Sequence, residues 1–247
     1  GYCNGAMKKE LRGQVALVTG GSKGIGFGID HALVARGVNV VITGRDGASL
    51  VEARMKLQAA GGGAVEGYAV DVRDHAAVHQ GVAEAVTRFG GLDVVVNNAG
   101  LGRFVNIADM TPEQWADTID TNVTGVFNVC HATLPHLRTR GGGYIINISS
   151  LAGKNAFVGA GAYCASKAAL NQFGEVLNQE VRHDNIKVTT IAPGSVATGF
   201  GGGAADAGAD WKIAAADIGD MVVDLLELDT RSLPSYIELR PSKPPNK

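Results

Sequence analysis

Apolar positions in this chain fall into short, nearly continuous runs, separated by longer stretches where they recur every three or four residues. Val15–Thr19, Val38–Thr43, Val65–Val70, Asp93–Asn97, Tyr144–Ile148 and Ile186–Ile191 are runs of the first kind, rich in β-branched residues. They predict strands, and Ser235–Leu239 predicts a short last one. The stretches between them predict helices over about Gly24–Arg36, Ala48–Ala60, Asp74–Phe89, Thr111–Leu137, Ala162–Arg182 and Met221–Leu228. Thr111 ahead of Pro112 marks a helix start, because Thr caps and Pro suits the first turn. Strands that are apolar throughout, alternating with helices, call for a parallel sheet covered on both faces. The expected fold class is therefore α/β, one doubly wound domain of about seven strands over residues 7–247. Glycine triplets at 61–63, 141–143 and 201–203 fall at element junctions and read as turns. Residues 1–6, ahead of Met7, are set apart as an expression remnant.

At 247 residues and 45% hydrophobic, the chain is long enough to bury a large core. Its net charge of −2 gives no global basic field, so neither nucleic acid nor an anionic membrane is an expected partner. No apolar run approaches the ~20 residues of a bilayer span, and no secretory signal pattern is present. The three cysteines, Cys3, Cys130 and Cys164, are odd in number and widely spaced. They fit a reducing, cytoplasmic setting and offer no metal site. His75 and His79 have the helical spacing of metal ligands, but no third ligand lies near them in sequence, so they read as a solvated helix face. His131 and His136 form a second near-pair. The expectation is no metal.

Chemistry concentrates at the strand ends. Thr19-Gly-Gly-Ser-Lys-Gly-Ile-Gly26 joins the first strand to the first helix. Glycines there permit a tight turn and close backbone approach to a pyrophosphate, while the helix N-terminus offers unpaired N–H donors. Asn97-Asn-Ala-Gly100 follows the fourth strand, Ser149-Ser150 the fifth, and Pro193-Gly-Ser-Val-Ala-Thr198 the sixth. Tyr163 and Lys167 lie one turn apart on one helix face, where an ammonium can approach a phenol.

In their order and spacing these motifs resemble the short-chain dehydrogenase/reductase family. Added to them are Asn122 within Asp120-Thr-Asn-Val-Thr124 and the 13-residue step from Ser150 to Tyr163. The resemblance covers residues 10–240 and looks nearest the 3-oxoacyl-[acyl-carrier-protein] reductase branch. It implies a Rossmann-type sheet and a hydride-transferring oxidoreductase acting on a small carbonyl or secondary alcohol. It also implies a homotetramer paired through the helices at 111–137 and 162–182. Apolar Val123, Phe127, Leu134, Leu170, Phe173 and Leu177 exceed what one sheet face needs and would in part serve that pairing, while some must pack inward.

The implied catalytic set is Asn122, Ser150, Tyr163 and Lys167. Tyr163 acts as general acid or base, Ser150 steadies the developing alkoxide, and Lys167 lowers the phenol pKa. Asn122 holds a water that links the lysine to solvent. The implied cofactor contacts are Gly20, Ser22, Lys23, Gly24, Ile25, Gly26, Arg45, Asp71, Val72, Asn98, Ala99, Gly100, Pro193, Gly194, Val196 and Thr198, with Tyr163 and Lys167. At the end of the second strand Gly44-Arg45 stands where NAD-dependent members carry an acid. Arg45 with Lys23 suits the 2′-phosphate of NADP(H), although Asp46 next door would suit the ribose of NAD. Asp71 reads either as an adenine contact or as a plain helix N-cap.

Leu101, Phe157, Val158, Phe200 and Trp211 are candidates for an apolar substrate pocket. Two departures from the family pattern are the Gly/Ala-rich segment after Thr198 and the ending Ile237-Glu-Leu-Arg-Pro241. Arg138, Arg140 and Arg182 could receive an acyl-carrier arm but read by default as solvated helix ends. The rival reading is a catalytically silent dinucleotide-binding redox sensor or regulator. Retention of all four catalytic residue types favours the enzyme.

Overall fold

The computed structural model describes residues 9–200 and 210–245. The 201–203 turn, Cys3 and residues 1–6 with Met7 lie outside the described residues. Seven strands are present: β1 (Val15–Thr19), β2 (Asn39–Gly44), β3 (Val65–Ala69), β4 (Val94–Asn97), β5 (Gly143–Ile148), β6 (Ile186–Pro193) and β7 (Tyr236–Leu239). All pair in parallel, in the order β3-β2-β1-β4-β5-β6-β7. The helices are α1 (Gly24–Ala35), α2 (Gly47–Ala60), α3 (His75–Phe89), α4 (Pro112–Ile119), α5 (Gly125–Thr139), α6 (Gly161–Val181) and α7 (Ala215–Glu227).

Successive strand side chains point to opposite faces, and the two cores follow that alternation. Ala16, Val18, Val40 and Ile42 pack under α1, α2 and α7 through Leu33, Leu57, Ile218 and Val222. Val15, Leu17 and Val41 pack under α3, α5 and α6 through Val82, Val129, Leu170 and Leu177. The helices start where sequence chemistry says they should. Asp46 caps α2 by accepting from Ala48 N, Asp74 caps α3 by accepting from Ala77 N, and Thr111 forms a reciprocal capping box with Gln114.

Two expected helices differ. The stretch 111–137 is not continuous: a π turn, Asp120–Thr124, separates α4 from α5, closed by Gly125 N donating to Asp120 O. Such one-turn bulges interrupt the helical ladder and cluster at functional sites, and this one carries Asn122. The last helix begins six residues earlier than expected, at Ala215. Gly219 argues against helix by propensity, but Asp217 accepts from Ala214 N at 3.0 Å and secures the first turn.

One buried group conflicts with the apolar pattern around it. Asp30 on α1 is fully buried, and neither carboxyl oxygen has a hydrogen-bond partner among the described residues. Burial raises its pKa well above the usual carboxylate range. The folded chain keeps this proton while the unfolded chain releases it above pH about 4, so Asp30 lowers stability as pH rises. Asp30→Ala should gain on the parent progressively between pH 4 and pH 8, reaching about 1–3 kcal/mol. Urea unfolding at the two pH values measures this, and an advantage that does not grow with pH would contradict it.

Candidate active site

Strand order reverses between β1 and β4, and the crevice beyond their carboxyl ends is where ligands bind in doubly wound sheets. The two ends are stitched together there. Thr19 Oγ1 accepts from Asn98 N at 3.1 Å and Ala99 N at 3.0 Å. Asn98 Nδ2 donates to the carbonyls of Thr19 and Gly20, both at 3.1 Å. Gly24 opens α1 at φ +57°, a conformation that disfavours a Cβ. A Cβ on Gly26 would collide with the Gly20 carbonyl oxygen and come within 2.6 Å of Asn98 Nδ2. No side chain caps α1 at Lys23, so its first N–H groups keep their capacity for an anion. Ser22 and Ile25 lie in the same turn. Thr198 Cγ2 reaches within 3.4 Å of the Cβ position on Gly24. Its segment is held by a bridge between Val196 and Ile213 and by Gly194 N donating to Leu239 O at 2.8 Å. The 193–198 segment and the glycine turn therefore border one crevice.

Beyond β2 and β3, the charged groups sort themselves. Asp46 is spent on α2: its oxygens accept from Ala48 N at 3.0 Å and Ser49 Oγ at 2.6 Å. Those bonds, with a smaller contribution from Lys23, hold its pKa below the ordinary value. Asp71 is not the cap of α3, a role that falls to Asp74. It pairs with Arg73 through Nε and Nη2, the latter at 2.7 Å, and its pKa is lowered chiefly by that bond, with Arg45 a smaller cause. Val72 is buried beside it. Lys23 and Arg45 form no ion pair with any of the described residues.

The four expected catalytic residues converge from three elements. Asn122, presented by the π turn, donates from Nδ2 to Leu101 O and Ser166 Oγ, both at 2.9 Å, and accepts from Leu101 N at 2.7 Å. Lys167 on α6 is buried, and its Nζ donates to Ile148 O at 3.0 Å. The Asn122 amide oxygen and Lys167 Nζ both face Gly100, at 3.5 and 3.7 Å from its Cβ position. Ser150 follows β5 and accepts from Ala152 N at 3.1 Å, capping a single 3₁₀ turn. Tyr163 lies one turn before Lys167, whose Nζ is 5.8 Å from its ring centroid.

Burial pushes the Lys167 ammonium down to about 8. Burial also raises the Tyr163 phenol above its ordinary value, opposed by a hydrogen bond with Ser150. The expected lowering of the phenol by Lys167 is not found. Desolvation dominates, and the ammonium is directed at the Ile148 carbonyl.

Around the phenol stands an aromatic wall. Phe104 meets Tyr163 edge-on at 5.7 Å, Phe200 meets it at 5.7 Å, and Phe157 packs on Phe104 at 5.9 Å. All three phenylalanines are partly exposed, in contrast to their usual burial. Of the expected lining, Phe157 and Phe200 are brought here, whereas Val158 is 92% exposed and Trp211 instead faces Lys212. Sequence reasoning missed Phe104 and Ser166, and quoted Thr19 only as the first residue of the glycine turn without its part in the β1–β4 seam. An aromatic just past the Asn97–Gly100 strand end was the available signal for Phe104; Thr19 and Ser166 carried none. The arginines suggested for an acyl-carrier arm are occupied in part: Arg138 pairs with Asp184 and Arg140 with Asp93. The histidine expectation also changes, because the fold sets His131 of α5 against His75 and His79.

Comparison with known proteins agrees with this fold. A family model described as short chain dehydrogenase matches residues 14–207. An uncharacterized oxidoreductase of Staphylococcus saprophyticus is 35% identical, aligned over 94% of this chain and 99% of its own. A 3-oxoacyl-[acyl-carrier-protein] reductase of Chlamydia muridarum is 38% identical over 81% of each chain. The crystal structure of a metagenomic short-chain oxidoreductase in complex with NADP superposes with a TM-score of 0.84. It is 34% identical and covers 96% of this chain and 100% of its own.

A buried ammonium with a pKa near 8 costs stability at neutral pH, since the unfolded lysine binds its proton up to about 10.5. Lys167→Met should therefore be the more stable protein at pH 7, by about 1–3 kcal/mol after allowing for the unpaired Ile148 carbonyl. The parent should recover as pH rises from 8 toward 10.5. Chemical denaturation at pH 7 and pH 10 reads the difference; a variant less stable than the parent at pH 7 would contradict the assignment.

Proposed function

The chain belongs to the short-chain dehydrogenase/reductase family, and from that premise we propose an NADP(H)-dependent enzyme interconverting a carbonyl and a secondary alcohol. The observation that carries the reading is the Tyr163 phenol, walled by aromatics, near enough to Ser150 for that hydroxyl to oppose the rise in its pKa, and one turn from a buried lysine. Each group then has one task. Tyr163 O–H gives its proton to the oxygen of the carbonyl being reduced, or takes it back in oxidation. Ser150 Oγ donates to the same oxygen as charge develops on it. Lys167, one turn away with its ammonium on the Ile148 carbonyl, has a pKa near 8 and so can pass a proton on at neutral pH. Asn122 acts as a positioning residue, holding Leu101 and Ser166 and sharing with Lys167 the space at Gly100.

The residues fit a dinucleotide. The turn from Gly20 to Gly26 lacks the side chains that would fill it, Asn98, Ala99 and Gly100 form the opposite wall, and Pro193–Thr198 borders the mouth. When bound, the nicotinamide supplies or accepts the hydride. Lys23 and Arg45 support the choice of NADP(H), since the acid that would favour NAD, Asp46, is consumed as a cap. Phe104, Phe157 and Phe200 suit an acyl or alkyl arm, and the similarity to a 3-oxoacyl reductase puts 3-oxoacyl thioesters first among substrates.

The reading extends to a cytoplasmic homotetramer. Cys130 and Cys164 are free thiols, and no described helix is long and apolar enough to cross a membrane. Phe127 on α5 and Val176 on α6 remain exposed for self-association, while Leu170 and Leu177 pack inward.

A panel of ketones, 3-oxoacyl thioesters and secondary alcohols with both nicotinamide cofactors tests the class; failure of every substrate would favour the silent regulator. Tyr163→Phe removes one oxygen and should cut turnover by roughly 10²–10⁴ while leaving NADPH affinity nearly intact. Retained turnover would mean another group supplies the proton. Arg45→Ala should weaken NADPH binding about 10- to 100-fold, equivalent to ~1.5–3 kcal/mol, and NADH binding little. If the parent uses NADH at least as well as NADPH, the reading of the β2 end fails.

A further inference from the structure

On the opposite face from the α1–α2 layer, α3 and α5 lie side by side over a shared core built from Val78, Val82, Val126 and Val129. That buried contact brings three exposed histidines together at its rim. His75 and His79 stand one turn apart on α3, and His131 faces them from α5. His75 Nε2 is 3.3 Å from His131 Nδ1, and His79 Nε2 is 3.2 Å from the same atom. The three rings offer one nitrogen each, all within 4.8 Å of one another, and no other such cluster occurs among the described residues.

We propose that His75, His79 and His131 form a binding site for a divalent transition-metal cation, of the class of Zn²⁺ or Ni²⁺, which clamps α3 to α5. Nitrogens bound at 2.0–2.1 Å to a tetrahedral ion are separated by about 3.3 Å, and two of the separations already match. Hydrogen bonding explains the cluster less well. His131 Nδ1 has one in-plane lone pair and cannot fully serve two donors, whereas a cation takes one lone pair from each ring.

Further observations agree. Phe127 stacks on His131 with centroids 5.6 Å apart and planes 28° apart, which limits the ring's rotation. The donors are all imidazole, which suits zinc, nickel or copper and not calcium or magnesium. Three protein ligands leave a further coordination position, and in the single chain all three rings are exposed. The unfolded chain loses the α5 ligand from this arrangement, so the cation binds the native state preferentially and stabilises it.

The test uses the whole chain, stripped with a chelator and dialysed, then titrated with zinc chloride against a chromophoric competitor. One zinc ion per chain at micromolar affinity or tighter is expected. His79→Gln and His131→Gln should each weaken binding at least ~10-fold, and His136→Gln should not. Circular dichroism establishes that each variant is folded, which exposed surface positions favour. At a hundredfold excess over the dissociation constant, zinc should raise the parent's melting temperature by about 5–10 °C, and that of His131→Gln far less. Nickel chloride should reproduce the pattern. Absence of binding below millimolar zinc, unchanged affinity in both variants, or one ion bridging two chains in sedimentation would each overturn the site.

Discussion

The sheet is covered by helices on both faces, and this one constraint decides where chemistry can occur. Its central strands bury every side chain they carry, as β1 and β4 do, Thr19 and Asn97 included. Polar side chains that must meet a ligand are therefore pushed to the carboxyl ends. The pairing of Thr19 with Asn98 and Ala99 at the β1–β4 seam then sets the shape of the crevice. Loosening that seam would move the glycine turn and the Asn98–Gly100 wall together, because the same hydroxyl and the same amide hold both.

The Tyr163–Lys167 pair is built against stability. Lys167 is an ammonium inside the protein, compensated by a single carbonyl at 3.0 Å. Tyr163 is buried enough that its proton is held more tightly than in water. Neither would be selected by packing alone. Under the proposed function, groups restrained in this way before substrate arrives would leave little reorganisation for the chemical step. The π turn fits the same logic, since it turns the Asn122 amide back toward Leu101 and Ser166 instead of outward.

The strands and the glycine turn were legible because each depends on local pattern: uninterrupted β-branched runs, and glycines between a strand and a helix. The Tyr163–Lys167 face was legible from helical spacing. Less visible were features that arise only from tertiary contact. The π turn interrupts a stretch with good helical periodicity, and what it positions lies in the 98–104 segment and on α6. Phe104 sits in a loop whose residues give no period. His131 is 52 positions from His79 in sequence and adjacent to it only because α3 and α5 share a core. The start of α7 was hidden because Gly219 lowers propensity while the stabilising cap comes from Asp217.

Charge selection at the end of β2 shows how local structure and function share the same residues. Asp46, Asp71 and Asp74 all lie near the strand ends that border the crevice, and a count of charges there would predict repulsion of any phosphate. Their hydrogen bonds say otherwise. Asp46 and Asp74 accept from the first turns of α2 and α3, where a carboxylate also opposes the positive helix end. Asp71 is neutralised by Arg73, which in turn reaches Asp117. The acids are thus held in caps and pairs, while Lys23 and Arg45, which contribute only the smallest part to the lowered pKa of Asp46 and Asp71, form no ion pair among the described residues. Under the proposed function, preference for a phosphate at this edge would follow from which charges the fold leaves without an ion pair, rather than from how many of each sign the sequence supplies.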